Sequence, residues 1–152
     1  MNPLGPMVRL LSVSILAALM TFACTQQVSK EDYIADVNRL CDDTRRELDA
    51  YGAALRDAAS VEEVRAAVER GRAIFERFRD ELNALEKPDE NRPLLVRWLA
   101  AIDEVVDLMR RLEEATASGD IGAIDQLARA AEGAQTEGDA LATDYGIDAC
   151  AG

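Results

Sequence analysis

An all-α fold, an up-down-up-down four-helix bundle behind a cleaved N-terminal signal peptide, is predicted by three features of this sequence. Four segments repeat apolar residues at alternating steps of three and four. Each opens on a helix start signal, and no segment shows the alternate-residue pattern of a strand. Capped breaks recur roughly every 25 to 30 residues, which favours a chain folded back on itself over a long coiled coil shared by two copies.

The first 23 residues differ from the rest. Arg9 precedes an apolar run of 14 residues, Leu10 to Ala23, and the small residues Thr21 and Ala23 stand three and one places before Cys24. A charged head, a short apolar stretch and small residues before a cut site are the layout of an export signal. The run falls short of the about 20 residues that a spanning helix needs, although an uncleaved signal anchor is the alternative. The expected organisation is a signal peptide over 1–23, a short tether over 24–29 and a bundle domain over 30–152. Thr21-Phe22-Ala23-Cys24 resembles a lipobox, the motif after which a signal is cut so that the new N-terminal Cys carries lipid. It departs from the pattern at Thr21, where Leu is usual, and at the bulky Phe22, and ordinary signal peptidase can cut the same bond. The cysteine count is three, an odd number for an exported chain. Lipid on Cys24 leaves an even pair, and acyl chains hold a membrane by about 0.8 kcal/mol per buried CH₂.

The first helix is expected over Lys30 to Ala58, with Ile34, Val37, Cys41, Thr44, Leu48, Tyr51 and Leu55 on one face and Ser29 as its N-cap. The second runs over Val61 to Glu86, carrying Val61, Val64, Val68, Gly71, Phe75, Phe78, Leu82 and Leu85 behind a Ser60/Glu63 capping box. A charged linker from Lys87 leads to Pro93, which suits a first helical turn because its missing N–H has no partner there. The third helix reaches about Ala117 and has the widest apolar face, including Leu95, Trp98, Ile102, Val105, Met109 and Leu112. Ser118-Gly119-Asp120 ends that helix and caps the fourth, Ile121 to Tyr145, whose stripe is Ile124, Leu127, Ala131, Ala134, Gly138, Leu141 and Tyr145. Gly146 and Ile147 read as a glycine cap with its apolar follower. In such a bundle the fourth helix packs beside the first.

The chain carries 17 basic and 29 acidic side chains, a formal charge of −12 that becomes −13 once Arg9 leaves with the signal. Such a surface is repelled by phosphate backbones, so no nucleic acid partner is expected. Many charges fall at helical spacings, such as Asp42 and Arg46, Arg65 and Glu69, Arg77 and Glu81, Asp107 and Arg111, and read as solvated faces. There is no histidine. That removes His-based metal sites, haem attachment and His acid–base catalysis. No Asp or Glu falls on the four apolar stripes, so no buried carboxylate cluster is indicated, and the expectation is no catalytic residue, no metal and no cofactor.

Gly71 and Gly138 stand on inward stripes, where glycine costs about 1 kcal/mol relative to alanine. Either neighbouring helices and aromatics such as Phe75, Phe78, Trp98 or Tyr51 fill the space, or the glycines border a small apolar cavity. The cavity reading makes Gly71, Phe75, Trp98 and Gly138 its candidate residues.

Tyr33-Ile34-Ala35-Asp36 with Leu40-Cys41, Arg97-Trp98-Leu99-Ala100-Ala101-Ile102, and Tyr145-Gly146-Ile147-Asp148-Ala149-Cys150 resemble small secreted lipoproteins of high-GC Gram-positive bacteria. In that group a Cys of the first helix is matched by one just after the last, and no activity is assigned to it. A Cys41–Cys150 disulfide also follows from topology. Cys41 lies about 16 Å along the first helix, and five extended residues beyond Tyr145 span up to about 18 Å, so the tail can fold back to it. The alternative is two free thiols. The expected protein is a monomeric, non-enzymatic binding or scaffolding lipoprotein. It is held at the outer face of the cell membrane by lipid on Cys24 and engages an envelope protein or polymer. A carrier of a small apolar ligand between the helices is the rival reading.

Overall fold

The computed structural model describes residues 27–151. The expected signal peptide and Cys24 lie outside the described residues. Within them the chain forms four helices and no strand: α1 (Lys30–Asp57), α2 (Val61–Ala84), α3 (Arg92–Ser118) and α4 (Ile121–Tyr145), followed by a 3₁₀ turn over Asp148–Cys150. No helix among the described residues is long and apolar enough to cross a membrane.

The helix ends are set locally. The Ser29 hydroxyl accepts from the Asp32 N–H, and Ser60 and Glu63 form the reciprocal capping box expected for α2. The Asp120 carboxylate accepts from Ala123 N–H at the head of α4. Asn91, ahead of α3, takes a left-handed conformation (φ 53°) without a side-chain cap bond, a backbone state that a short polar side chain tolerates. Gly119 (φ 72°) and Gly146 (φ 98°) turn the chain at the ends of α3 and α4. After Gly146, the Ile147 N–H donates back to Ala142 O at 2.8 Å and the Ile147 side chain is fully buried. That is a Schellman closure with its apolar contact.

Consecutive helices pack side by side. Arg77 of α2 pairs with Glu47 of α1 at 2.6 Å, while Tyr51, one turn further along α1, rests against Gly71, earlier in α2. The two helices therefore run antiparallel. Arg72 joins α2 to α3 through Glu113 and also pairs with Glu76. Of the helical-spacing pairs expected, the carboxylates choose other partners: Arg46 pairs with Asp43, Arg77 with Glu47 across the helix interface, and Arg110 with Asp107. Side chains with several carboxylates in reach settle on the geometry that the neighbouring helix offers.

The core divides into two clusters. At the near end, which holds the start of α1 and the C-terminal turn, Tyr33, Val37, Leu82, Leu95, Trp98, Leu141, Tyr145 and Ile147 pack together from every helix. At the far end Val68, Val105, Leu108, Met109, Leu112 and Leu127 come from α2, α3 and α4, and α1 adds only the half-buried Tyr51. Two residues expected inside are therefore outside at the far end: Leu55 is 37% exposed and Val61 is 61% exposed. Both clusters fall within residues 33–147, so the bundle has a core of its own.

The expected packing of α4 beside α1 is not observed. No Cα of α1 lies within 8 Å of a Cα of α4. The stripe of α4 is built from small residues, Ala131, Ala134 and Gly138, which seat it closely on α3 but do not reach across to α1. Phe75 and Phe78 of α2 and Trp98 of α3 line the gap between them. The bundle is open along this one seam.

Candidate functional site

The open seam is an apolar cleft of about 380 Å³. Its floor is Phe75 and Phe78 of α2 with Trp98, Ile102 and Val105 of α3. One wall is α1, presenting Thr44, Leu48 and Asp49, and the other is α4, presenting Ala134, Gln135, Gly138 and Asp139. Each floor residue sits on the face its helix turns to the bundle axis.

The C-terminal turn closes the near end of the cleft. The sulfurs of Cys41 and Cys150 stand at disulfide distance, with Cα atoms 5.3 Å apart, inside the usual range of about 4.4 to 6.8 Å. Ala149 N–H donates to the Asn38 side-chain oxygen at 3.1 Å, and the Arg45 guanidinium donates to the Ala149 and Ala151 carbonyls. Through these contacts the turn links α1 to α4, which do not meet directly. Below it, the Tyr33 and Tyr145 rings meet edge to face, with centroids 6.3 Å apart, and the Lys30 ammonium stands 4.7 Å from the Tyr145 ring centre. Tyr145 donates to Glu90 O at 3.2 Å. The Tyr33 hydroxyl is buried with no hydrogen-bond partner among the described residues, and burial, with Tyr145 beside it, raises its pKa. Burial also raises that of Tyr145, with Glu90 adding to the effect, and that of Tyr51.

Of the four residues expected to border a cavity, Phe75, Trp98 and Gly138 line the cleft and Gly71 does not. A Cβ on Gly71 would stand 2.7 Å from the Tyr51 ring and 3.1 Å from Met109 Cε, so the missing side chain admits Tyr51. Gly138 is different: its added Cβ would lie 3.8 Å from that of Ala101, in ordinary contact. Comparison with protein-family models, curated proteins and solved structures finds no match to this chain. Its chemistry is therefore read from the cleft alone. Among the described residues no group of three or more Cys, Asp or Glu is placed to hold a metal ion. Asp49, Asp139, Gln135 and Arg45 were not singled out by the apolar pattern, because they flank the stripes and line a surface only where the seam is open. Their helical spacing to stripe residues Thr44, Leu48 and Gly138 is the signal that places them there once the seam is known.

Proposed function

We propose that this chain is a non-enzymatic binding lipoprotein of the cell envelope, anchored by lipid on Cys24 at the outer face of the membrane, which takes an apolar ligand into the cleft between α1 and α4. The observation that carries the reading is an apolar cleft of about 380 Å³ lined by the aromatic side chains of Phe75, Phe78 and Trp98, a size within the range of small-molecule sites. The absence of histidine from the chain supports binding over catalysis. Export supports oxidation of the Cys41–Cys150 pair, which then fixes the closed end of the cleft.

Native mass spectrometry of protein purified from its own membrane is the test. The expected result is a co-purifying apolar mass that is lost in Leu48→Trp, which fills the cleft from the α1 wall. A clean apo mass in both proteins overturns the reading. Membrane fractionation tests the anchor: Cys24→Ser is expected to leave the membrane, and normal processing with retention there would sink the lipid assignment.

Exposed Val61 and Ile121 open α2 and α4 at the far end, and they favour a second contact there, with an envelope protein or polymer. A pull-down that is unchanged by Val61→Asp with Ile121→Asp would remove that reading.

A further inference from the structure

The cleft is apolar at its floor and acidic at its mouth. Asp49 lines it from α1 and Asp139 from α4, so the two carboxylates stand on opposite walls. One cation lines it, Arg45, and that guanidinium is engaged with the carbonyls of the C-terminal turn. No cation forms an ion pair with Asp49 among the described residues. The whole chain carries a formal charge of −12, a field that draws cations to any opening in the surface.

A second observation comes from Thr44. It lines the same cleft, is only 8% exposed, and its side chain makes no hydrogen bond among the described residues. Thr116, Thr136 and Thr143 behave otherwise, each donating to the carbonyl four residues back. Among the described residues the fully buried unpartnered side-chain oxygen is that of Tyr33, so the Thr44 oxygen is reachable from the cleft and keeps its hydrogen-bonding capacity for water or a ligand there. Thr44 sits on the same wall as Asp49, five residues nearer the closed end, about 7.5 Å along α1.

We propose that the ligand of this cleft is an amphiphile with a protonated amine head, its apolar chain lying on Phe75, Phe78 and Trp98 and its head held by Asp49 and Thr44 of the α1 wall. This rests on the cleft reading above and names the chemical class it takes. The ammonium donates to the Asp49 carboxylate and to the Thr44 oxygen, which replaces the water that reaches that hydroxyl in the empty cleft. A carboxylate head is disfavoured, because it would meet the like charge of Asp49.

Trp98 is the only tryptophan of the chain and forms part of the floor, so its fluorescence reports occupancy directly. The mature chain carrying Cys24→Ser is titrated with dodecylammonium, dodecanol and dodecanoate, each below its micelle concentration, at pH 7. Dodecylammonium is expected to bind about tenfold or more tighter than dodecanoate, with dodecanol between them. Asp49→Asn should shrink that ratio by at least about threefold, and Thr44→Val should weaken dodecylammonium by a similar factor. Glu62→Gln, on the first turn of α2 at the far end, should leave the ratio as it was. All three variants are first shown by circular dichroism and urea midpoint to fold as the parent does. Equal binding of dodecanoate, or an ammonium preference that survives Asp49→Asn, overturns the amine head while chain binding upholds the cleft. No response of Trp98 to any of the three probes overturns both.

Discussion

The near and far ends of the bundle are made from similar helices and end up differently packed. At the near end α1 buries Tyr33, Val37 and Cys41 against three other elements, and the returning Ile147 seals the layer. At the far end the same helix offers Tyr51 half-buried and Leu55 exposed, and α2, α3 and α4 make the core without it. An apolar stripe is thus a permission to bury and not a guarantee: α1 is held where the C-terminal turn ties it down, and it leans on α2 alone where nothing does. The cleft lies where the first regime gives way to the second.

The largest way to break the contrast is to cut the tie. The Cys41–Cys150 pair closes a loop of 109 residues, and replacing both cysteines with Ser is expected to cost about 4 to 5 kcal/mol by the chain-entropy model. Urea unfolding of the oxidised parent and the double variant measures it. A loss under about 1 kcal/mol would mean that the near end holds α1 by packing alone.

Next in size is a matched pair of truncations. Leu82→Ala at the fully buried near end is expected to cost about 2 to 5 kcal/mol, and Leu55→Ala at the far end under about 0.5 kcal/mol. Similar values for the two would erase the difference between the ends.

Alkaline pH probes the same asymmetry through the three tyrosines, the whole tyrosine content of the chain. Tyr33, Tyr145 and Tyr51 all have pKa values raised above the ordinary value of 10.0, chiefly by burial. Their contribution is complete below pH about 10 and is lost as pH climbs further, because the unfolded chain then releases protons that the folded one retains. Tyrosinate absorbance should rise late and together with unfolding. In Tyr33→Phe, which also removes the unpartnered hydroxyl, the alkaline limb should become shallower. An independent early titration of three tyrosines would contradict the burial described.

The smallest effects should come from the two helix-interior glycines, with opposite signs. Gly71→Ala drives a Cβ into the Tyr51 ring, and overpacking outweighs the helix gain for a net loss of about 1 kcal/mol. Gly138→Ala meets only ordinary contact and should gain up to about 1 kcal/mol. Thermal unfolding of the two variants decides it, and equal signs would show that Tyr51 yields freely at the loose end of α1.

Local chemistry was legible in the sequence. The Ser60/Glu63 box, the Asp120 cap and the Gly146-Ile147 closure involve residues within a few positions of one another, so their geometry is written in the order of the chain. The two helix-interior glycines look alike in sequence and differ in the fold, because a neighbour from another helix occupies one and not the other. The open seam was not legible either. A stripe shows which face of α1 or α4 turns inward, but whether two helices distant in sequence meet depends on how α2 and α3, on which they pack, hold them apart. Asp49 and Asp139 became cleft residues by that route.

The position of Cys150 in the chain also orders events in time. It follows all four helices, whereas Cys41 lies within the first. During synthesis from the N-terminus, the residues of every helix are joined before the second sulfur is. Contacts between successive helices are short in sequence and form quickly, whereas a pairing across 109 residues is slow to find. The covalent link therefore records a fold already reached, and acts on the rate at which the finished molecule comes apart more than on the rate at which it forms.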